Sequence, residues 1–227
     1  MTTTPTQIRA DRSQRAVVLL QSLEWTPSPL AGVDRKMLER NGDEVALATT
    51  VVRYAPNSSF SSHTHTKGEE FLVLEGIFSD EHGSYPPGTY IRNPPGSEHT
   101  PFSDDGCTIF VKLRYMKFTE TERVVVDTNT AAWSATEQDG YTILPLFSDP
   151  AGDEDVCMER LTPKTTVAWE VPEGGEEILV VEGDLITPQG KHEKGTWLRN
   201  PQAGSVEYQS NTGCLLWIKR RHLPSPA

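Results

Sequence analysis

The sequence predicts an all-β protein made of two successive copies of one sandwich or barrel. Three observations carry this. The chain repeats itself with a period near 107 residues, short runs rich in Val, Ile and Leu lie between turn residues, and 17 Gly and 17 Pro occur among 227 residues. Gly and Pro at that density punctuate a chain into short strands rather than long helices. The length suits two domains of about 110 residues, each able to bury its own core.

The repeat keeps its order along the whole chain. Arg15 to Leu19 falls on Arg123 to Asp127, and Trp25 on Trp133, at a shift of 108. Glu69 to Gly76 falls on Glu176 to Gly183, Gly88 to Pro94 on Gly195 to Pro201, and Gly106 to Lys112 on Gly213 to Lys219, all at 107. Gly96-Ser97 meets Gly204-Ser205 at 108 after one inserted residue. The expected domains are therefore residues 15–122 and 123–222. The repeat alone sets that boundary, because no flexible Gly/Ser linker separates the copies.

Within each copy the elements follow from local chemistry. Phe71 to Leu74 and Ile178 to Val181 are short apolar runs, as expected of buried strands. Ser79 to Gly83 reads as a hairpin turn, with Gln189-Gly190 as its counterpart. Tyr90 to Arg92 is a strand that Asn93-Pro94-Pro95-Gly96 stops, since proline cannot donate to a ladder. Thr108 to Leu113 is a further strand. A short helical turn is expected at residues 33–40. Strands about ten residues apart, with turns between them, suit a sandwich or barrel.

Charge and composition exclude several roles. With 21 Lys and Arg against 32 Asp and Glu, the formal net charge is −11. Such a chain repels phosphate backbones and anionic lipid, so neither nucleic acid nor a membrane is an expected partner. The longest early apolar run, Ala16 to Leu20, is far short of a membrane span of roughly 20 residues. The polar N-terminal segment lacks the apolar core of a secretory signal. Three Cys, an odd number, argue against a disulfide framework. A reducing cytoplasm is the expected location.

The chemistry concentrates in Ser62 to Glu70 and Gly96 to His99. His63 and His65, two apart on an extended chain, point to one face and can converge on one ion. Glu69 has the same parity and lies just past a turn at Lys67-Gly68. His99 arrives from a distant strand. Three imidazoles and one carboxylate suit a borderline divalent ion such as Zn, Fe, Mn, Ni or Co. By parity Glu70 faces away, so it is expected to be structural and to pair with Arg92 or Arg199. Cys107 and Cys214 precede apolar strands and read as buried, inert thiols. His82, His192 and His222 read as surface residues. Trp25 and Trp133 read as barrel packing. Phe60, Phe71, Tyr90, Phe102 and Phe110 read as core, with a share in lining a cavity.

These residues resemble a known superfamily, the cupins, whose fold is a double-stranded β-helix or jelly-roll barrel. His63, His65, Glu69 and Gly76 match the first cupin motif, His-x-His-x3-Glu-x6-Gly. Gly88, Pro94, Gly96 and His99 match the second. Within the superfamily the sequence is most similar to the cupin domain of the anti-sigma factor ChrR and its relatives. The segments that carry this are Gly68 to Gly76, Asp80 to Gly83, Gly88 to Tyr90, Arg92 to Ser97 and Gly106-Cys107. The resemblance implies tandem cupin barrels and one zinc ion held by His63, His65, Glu69 and His99. Anti-sigma factors of this kind hold the sigma factor with a helical N-terminal domain. Only 14 residues precede Arg15, so a sigma-factor partner by that route is not expected.

The second copy departs from the motif. His63, His65, Glu69 and His99 fall on Glu170, Pro172, Glu176 and Glu207, so every imidazole is gone. One metal site in the first domain is expected, with a structural or small-ligand role for the second. A carboxylate site at Glu170, Glu176 and Glu207 is the lesser alternative. The functional expectation is a zinc-bound regulatory or sensory bicupin. Alternatives are a metal-dependent dioxygenase using Fe, Ni or Mn on a small diketone or aromatic substrate, and a metal-dependent isomerase. A small ligand in the barrel cavity and a homodimer remain open.

Overall fold

The computed structural model describes residues 6–225. Among them the regular structure is antiparallel strand throughout, apart from one 3-10 turn at Leu20–Ser22. No helix is long and apolar enough to cross a membrane. The chain divides into two compact units. One comprises residues 6–10 with Leu23–Thr130, the other Asp11–Ser22 with residues 131–225.

In the first unit a large sheet runs Gln7–Ile8, Val33–Asn41, Leu47–Tyr54, Cys107–Leu113, Glu69–Gly76, Thr89–Asn93, Val124–Asp127. A smaller sheet runs Gly83–Tyr85, Phe78–Asp80, Phe102–Ser103, Ser58–Ser59. A two-stranded ribbon pairs His63–Thr64 with Glu98–His99. The core joins Val33, Val52, Phe71, Val73, Ile91, Ile109 and Val111 of the large sheet to Phe78 and Tyr85 of the small one. This is the two-layered roll that alternating apolar residues demand, since each sheet buries one face against the other.

The second unit repeats the plan. Its main sheet runs Ser134–Ala135, Tyr141–Ser148, Asp155–Leu161, Cys214–Arg220, Glu176–Thr187, Thr196–Asn200, Ala16–Leu19. Thr165–Val171 pairs with Gly204–Ser210, and Gly190–Glu193 closes a hairpin on the long strand. The opening strand of each sequence repeat lies at the edge of the other repeat's sheet. Val18 sits opposite Trp197, and Val126 sits opposite Tyr90. The compact units therefore differ from the sequence repeats at their N-terminal margins.

Residues 33–40 form part of the strand Val33–Asn41, not a helical turn. A bulge between Met37 and Glu39 breaks the two-residue alternation, and Leu38, Glu39 and Arg40 are all buried. That mixed burial mimics a helical pattern in the sequence. Trp25 and Trp133 are half-buried and do not enter the cores. Trp25 lies under Lys36 and Arg53, and Trp133 under Arg160. His192 is buried, with its Nε2 3.0 Å from the Thr187 hydroxyl, and the His222 ring lies 3.3 Å from Glu177, so neither is a surface residue.

Glu70 fills the structural role expected of it. It is buried on the face of its strand away from His63 and accepts hydrogen bonds from Arg92 at 2.8 Å and the Tyr90 hydroxyl at 2.7 Å. Cys107 and Cys214 are buried, and burial pushes each thiol up to about 11.

Candidate metal centre

The ribbon that carries the cluster is set by backbone contacts around His65. Its carbonyl accepts from the Gly96 amide at 2.8 Å, and its own amide donates to the Ser97 carbonyl at 2.9 Å. Gly68, at φ 73°, takes the left-handed conformation that turns the chain back toward Glu69. His63 and His99 are direct cross-strand partners. Facing residues on an antiparallel pair project to one side, so the pairing itself brings two imidazoles together.

The three rings stand 4.6–5.1 Å apart, centre to centre, and edge-on to one another. One nitrogen from each forms a group within 4.8 Å, the only such metal-competent cluster among the described residues. His65 and His99 are buried, while His63 is exposed. Glu69 Oε2 lies 3.3 Å from His65 Nε2 and 3.7 Å from His99 Nε2. All four sequence-predicted residues therefore meet in one place.

What surrounds them fixes which nitrogen faces inward. His63 Nδ1 lies 3.3 Å from the Ser61 carbonyl. His65 Nδ1 lies 2.9 Å from Ser97 Oγ, whose proton is already donated to the Pro94 carbonyl at 2.7 Å. His99 Nδ1 lies 3.4 Å from Asp80 Oδ2. The Ser61 carbonyl and the Asp80 carboxylate can only accept, and Ser97 Oγ, donating to Pro94, accepts as well, an arrangement that matches a proton on each Nδ1. This is the outer arrangement that metal-bound histidines need. His65 Nε2 is buried and faces the Glu69 carboxylate at 3.3 Å. The donor set thus fits a divalent ion.

The electrostatics agree. Burial would raise the Glu69 pKa, but the imidazoles of His65, His99 and His63 outweigh it and hold the carboxyl at about 2. Burial lowers the pKa of His63. For His65 burial acts in the same direction, yet the adjacent Glu69 carboxylate more than offsets it and the pKa is raised. Glu69 is thus held ionised beside three imidazoles, and a cation bound there would take the place of the imidazole protons that its carboxylate now attracts.

The sequence did not single out Asp80, Asn93, Ser97 or Arg123, which form the outer layer. One signal was available for Asp80. At the repeat shift of 107 it falls on Thr187, so the copy that lost its imidazoles also lacks this carboxylate.

In the second unit the four equivalent residues do not assemble. Glu170 and Glu207 are exposed, and Glu170 accepts from the Ser205 hydroxyl at 2.5 Å. Glu176 is fully buried, but indole, phenol and guanidinium donors surround it where the first unit has imidazoles. Trp169 Nε1 and the Tyr208 hydroxyl each donate to it at 2.9 Å. Arg220, in the position of Leu113, bonds Glu159 at 2.8 Å, comes within 3.7 Å of Glu176, and lies 5.0 Å over the Trp169 ring. A guanidinium supplies the positive charge here. A cavity of about 280 Å³ opens beside it, lined by Tyr141, Trp169, Glu170 and Pro172 among others.

The comparisons with known proteins point the same way. The family model for the ChrR cupin-like domain matches twice, over residues 13–117 and 121–224. No curated protein matches the sequence. Solved structures share the fold at low identity. A protein described as a candidate dioxygenase from Nostoc punctiforme PCC 73102 has a TM-score of 0.74 at 14% identity, covering 95% of this chain and 87% of its own. The bacterial pirin YhhW of Escherichia coli, solved in complex with nickel(II), gives 0.67 at 11%, covering 94% and 100%. Oxalate decarboxylase of B. subtilis gives 0.60 at 9%, covering 97% and 78%. With two matches that together span nearly its whole length, the chain belongs to the ChrR cupin-like family and carries that family's domain twice.

Proposed function

We propose that the protein is a bicupin that binds one divalent metal ion in its first unit, through His63, His65, Glu69 and His99, and that the ion is zinc in a regulatory or sensory role. The single observation that carries this is the orientation of the rings. Each Nδ1 lies against an outer oxygen, and one nitrogen of each ring gathers within 4.8 Å beside the Glu69 carboxylate. Four protein ligands complete a tetrahedral zinc site. Such a closed site stabilises the barrel and reports on whatever detaches a ligand.

Metal analysis of protein purified without chelating resin tests the reading. Wild type should carry close to one equivalent of zinc per chain, and His99→Ala almost none. Two equivalents per chain, or undiminished metal in His99→Ala, would sink it.

A second reading is a metal-dependent dioxygenase, favoured by the exposure of His63, which leaves one side of the cluster open to solvent. A redox-active ion there would supply oxygen chemistry, and His63, His65, Glu69 and His99 would hold it. Oxygen uptake on adding a diketone or flavonol to iron-loaded protein selects this reading, and its absence selects the first.

A further inference from the structure

Arg123 is the first residue of the second sequence repeat, yet its side chain serves the first unit. It precedes the edge strand Val124–Asp127, which lies beside Thr89–Asn93. That exchange brings a guanidinium to the rear of the metal-centre cluster. Its Nε donates to Asn93 Oδ1 at 3.0 Å. Its Nη2 donates to the Tyr85 hydroxyl at 2.8 Å and to Asp80 Oδ2 at 3.3 Å.

Two of the three contacted residues, Asn93 and Asp80, touch a candidate ligand. Asn93 Nδ2 donates to Glu69 Oε2 at 3.4 Å. Asp80 Oδ2 accepts from His99 Nδ1. Both are buried. An amide has one accepting and one donating end, and the guanidinium can only donate. Arg123 therefore draws the Asn93 oxygen toward itself and turns the amino group toward Glu69. Asp80 is held from several sides, by Arg123, by the Tyr85 hydroxyl at 3.0 Å and by the His82 amide at 2.8 Å. Only one lone-pair direction is then left for His99.

We infer that Arg123 is a positioning residue for the metal centre, orienting Glu69 through Asn93 and His99 through Asp80. The inference rests on the metal-centre reading above. Arginine suits the task because its planar fork points donors in two directions at once, which a lysine ammonium on a flexible stem does not reproduce. Outer-layer partners of this kind typically change metal affinity by about 10- to 100-fold.

The test is cobalt(II) titration of the full chain, read by visible absorption, with zinc affinity measured by competition. Wild type should bind one cobalt. Arg123→Met should bind about 10- to 100-fold more weakly and with shifted bands, because the ligands are retained but misaligned. Arg123→Lys should recover part of the affinity through Asp80 but not the wild-type bands. An Asn93→Ala/Arg123→Met pair should lose less than the sum of the single losses, since one residue acts through the other.

Circular dichroism and the melting temperature of the metal-free variants separate misalignment from unfolding. If Arg123→Met does not fold, Arg123→Lys and Asn93→Ala carry the test. Folded variants that keep wild-type affinity and wild-type bands overturn the role of Arg123 alone. A wild type that binds no cobalt overturns the metal-centre reading, and this inference with it.

Discussion

Protonation at single atoms decides what this cluster can do. Ser97 Oγ donates a hydrogen bond to the Pro94 carbonyl and keeps a lone pair for His65 Nδ1, 2.9 Å away. Ser97→Ala should leave the fold intact but free the ring to tilt or change tautomer, weakening zinc by about tenfold. Competition against a chromophoric chelator would show it. His63→Ala should lower affinity much further than Ser97→Ala, since a ligand itself is lost. Glu69→Gln should fall between the two.

In the second unit Arg220 lies between Glu159 and Glu176. Arg220→Met should strand both carboxylates and lower stability by about 3–5 kcal/mol in urea denaturation. The pH behaviour of Glu176 has a definite sign. Burial raises its pKa above the ordinary value of 4.5, ahead of the opposing pull of Arg220, Trp169 and Tyr208. A raised folded pKa contributes stability that is fully present below the unfolded pKa and is lost as pH rises through the folded one. Glu176→Gln should remove that loss. Its melting temperature should therefore vary less than wild type between about pH 4.5 and neutrality.

At the scale of the element, the strands bend where glycine permits it. Gly76 and Gly183, at φ 69° and 73°, sit beside register shifts in the two long strands. A Cβ at either would collide with the carbonyl oxygen of Gly106 or Gly213. Gly76→Ala combines a clash with a left-handed backbone and should cost about 3 kcal/mol, measurable by denaturant unfolding.

The same elements show what a sequence can and cannot disclose. Spacing and parity were enough to bring His63, His65, Glu69 and His99 together, and to send Glu70 the other way toward Arg92. Neither could reveal Asp80 or Arg123 behind them, because outer partners depend on which strands pair. Pairing also explains the error at residues 33–40. A bulge shifts the alternation by one, so Glu39 turns inward among buried neighbours and the pattern no longer reads as a strand. The half-buried Trp residues were misplaced for a related reason. A residue recurring in both copies shows a shared role, but not whether that role is packing or the stacking of a cation.

For the whole molecule, duplication has separated two duties. One copy keeps three imidazoles around its carboxylate, and the other surrounds its carboxylate with indole, phenol and guanidinium donors. Metal should therefore stabilise only one of the two units. Binding at 100 times the dissociation constant contributes about 2.7 kcal/mol. Calorimetry with and without zinc should show an upward shift in one transition, absent in His99→Ala and retained in Glu207→Ala.

The swapped edge strands make the gene's obvious seam the wrong place to cut. A fragment trimmed to residues 15–122 would keep a ribbon that belongs to its sibling and forfeit both the cover strand of its own sheet and Arg123. Such a piece should precipitate or self-associate through the bared edge. A cut after Thr130 that keeps the N-terminal segment, and with it Gln7–Ile8 on Val33–Asn41, should yield a tractable metal module.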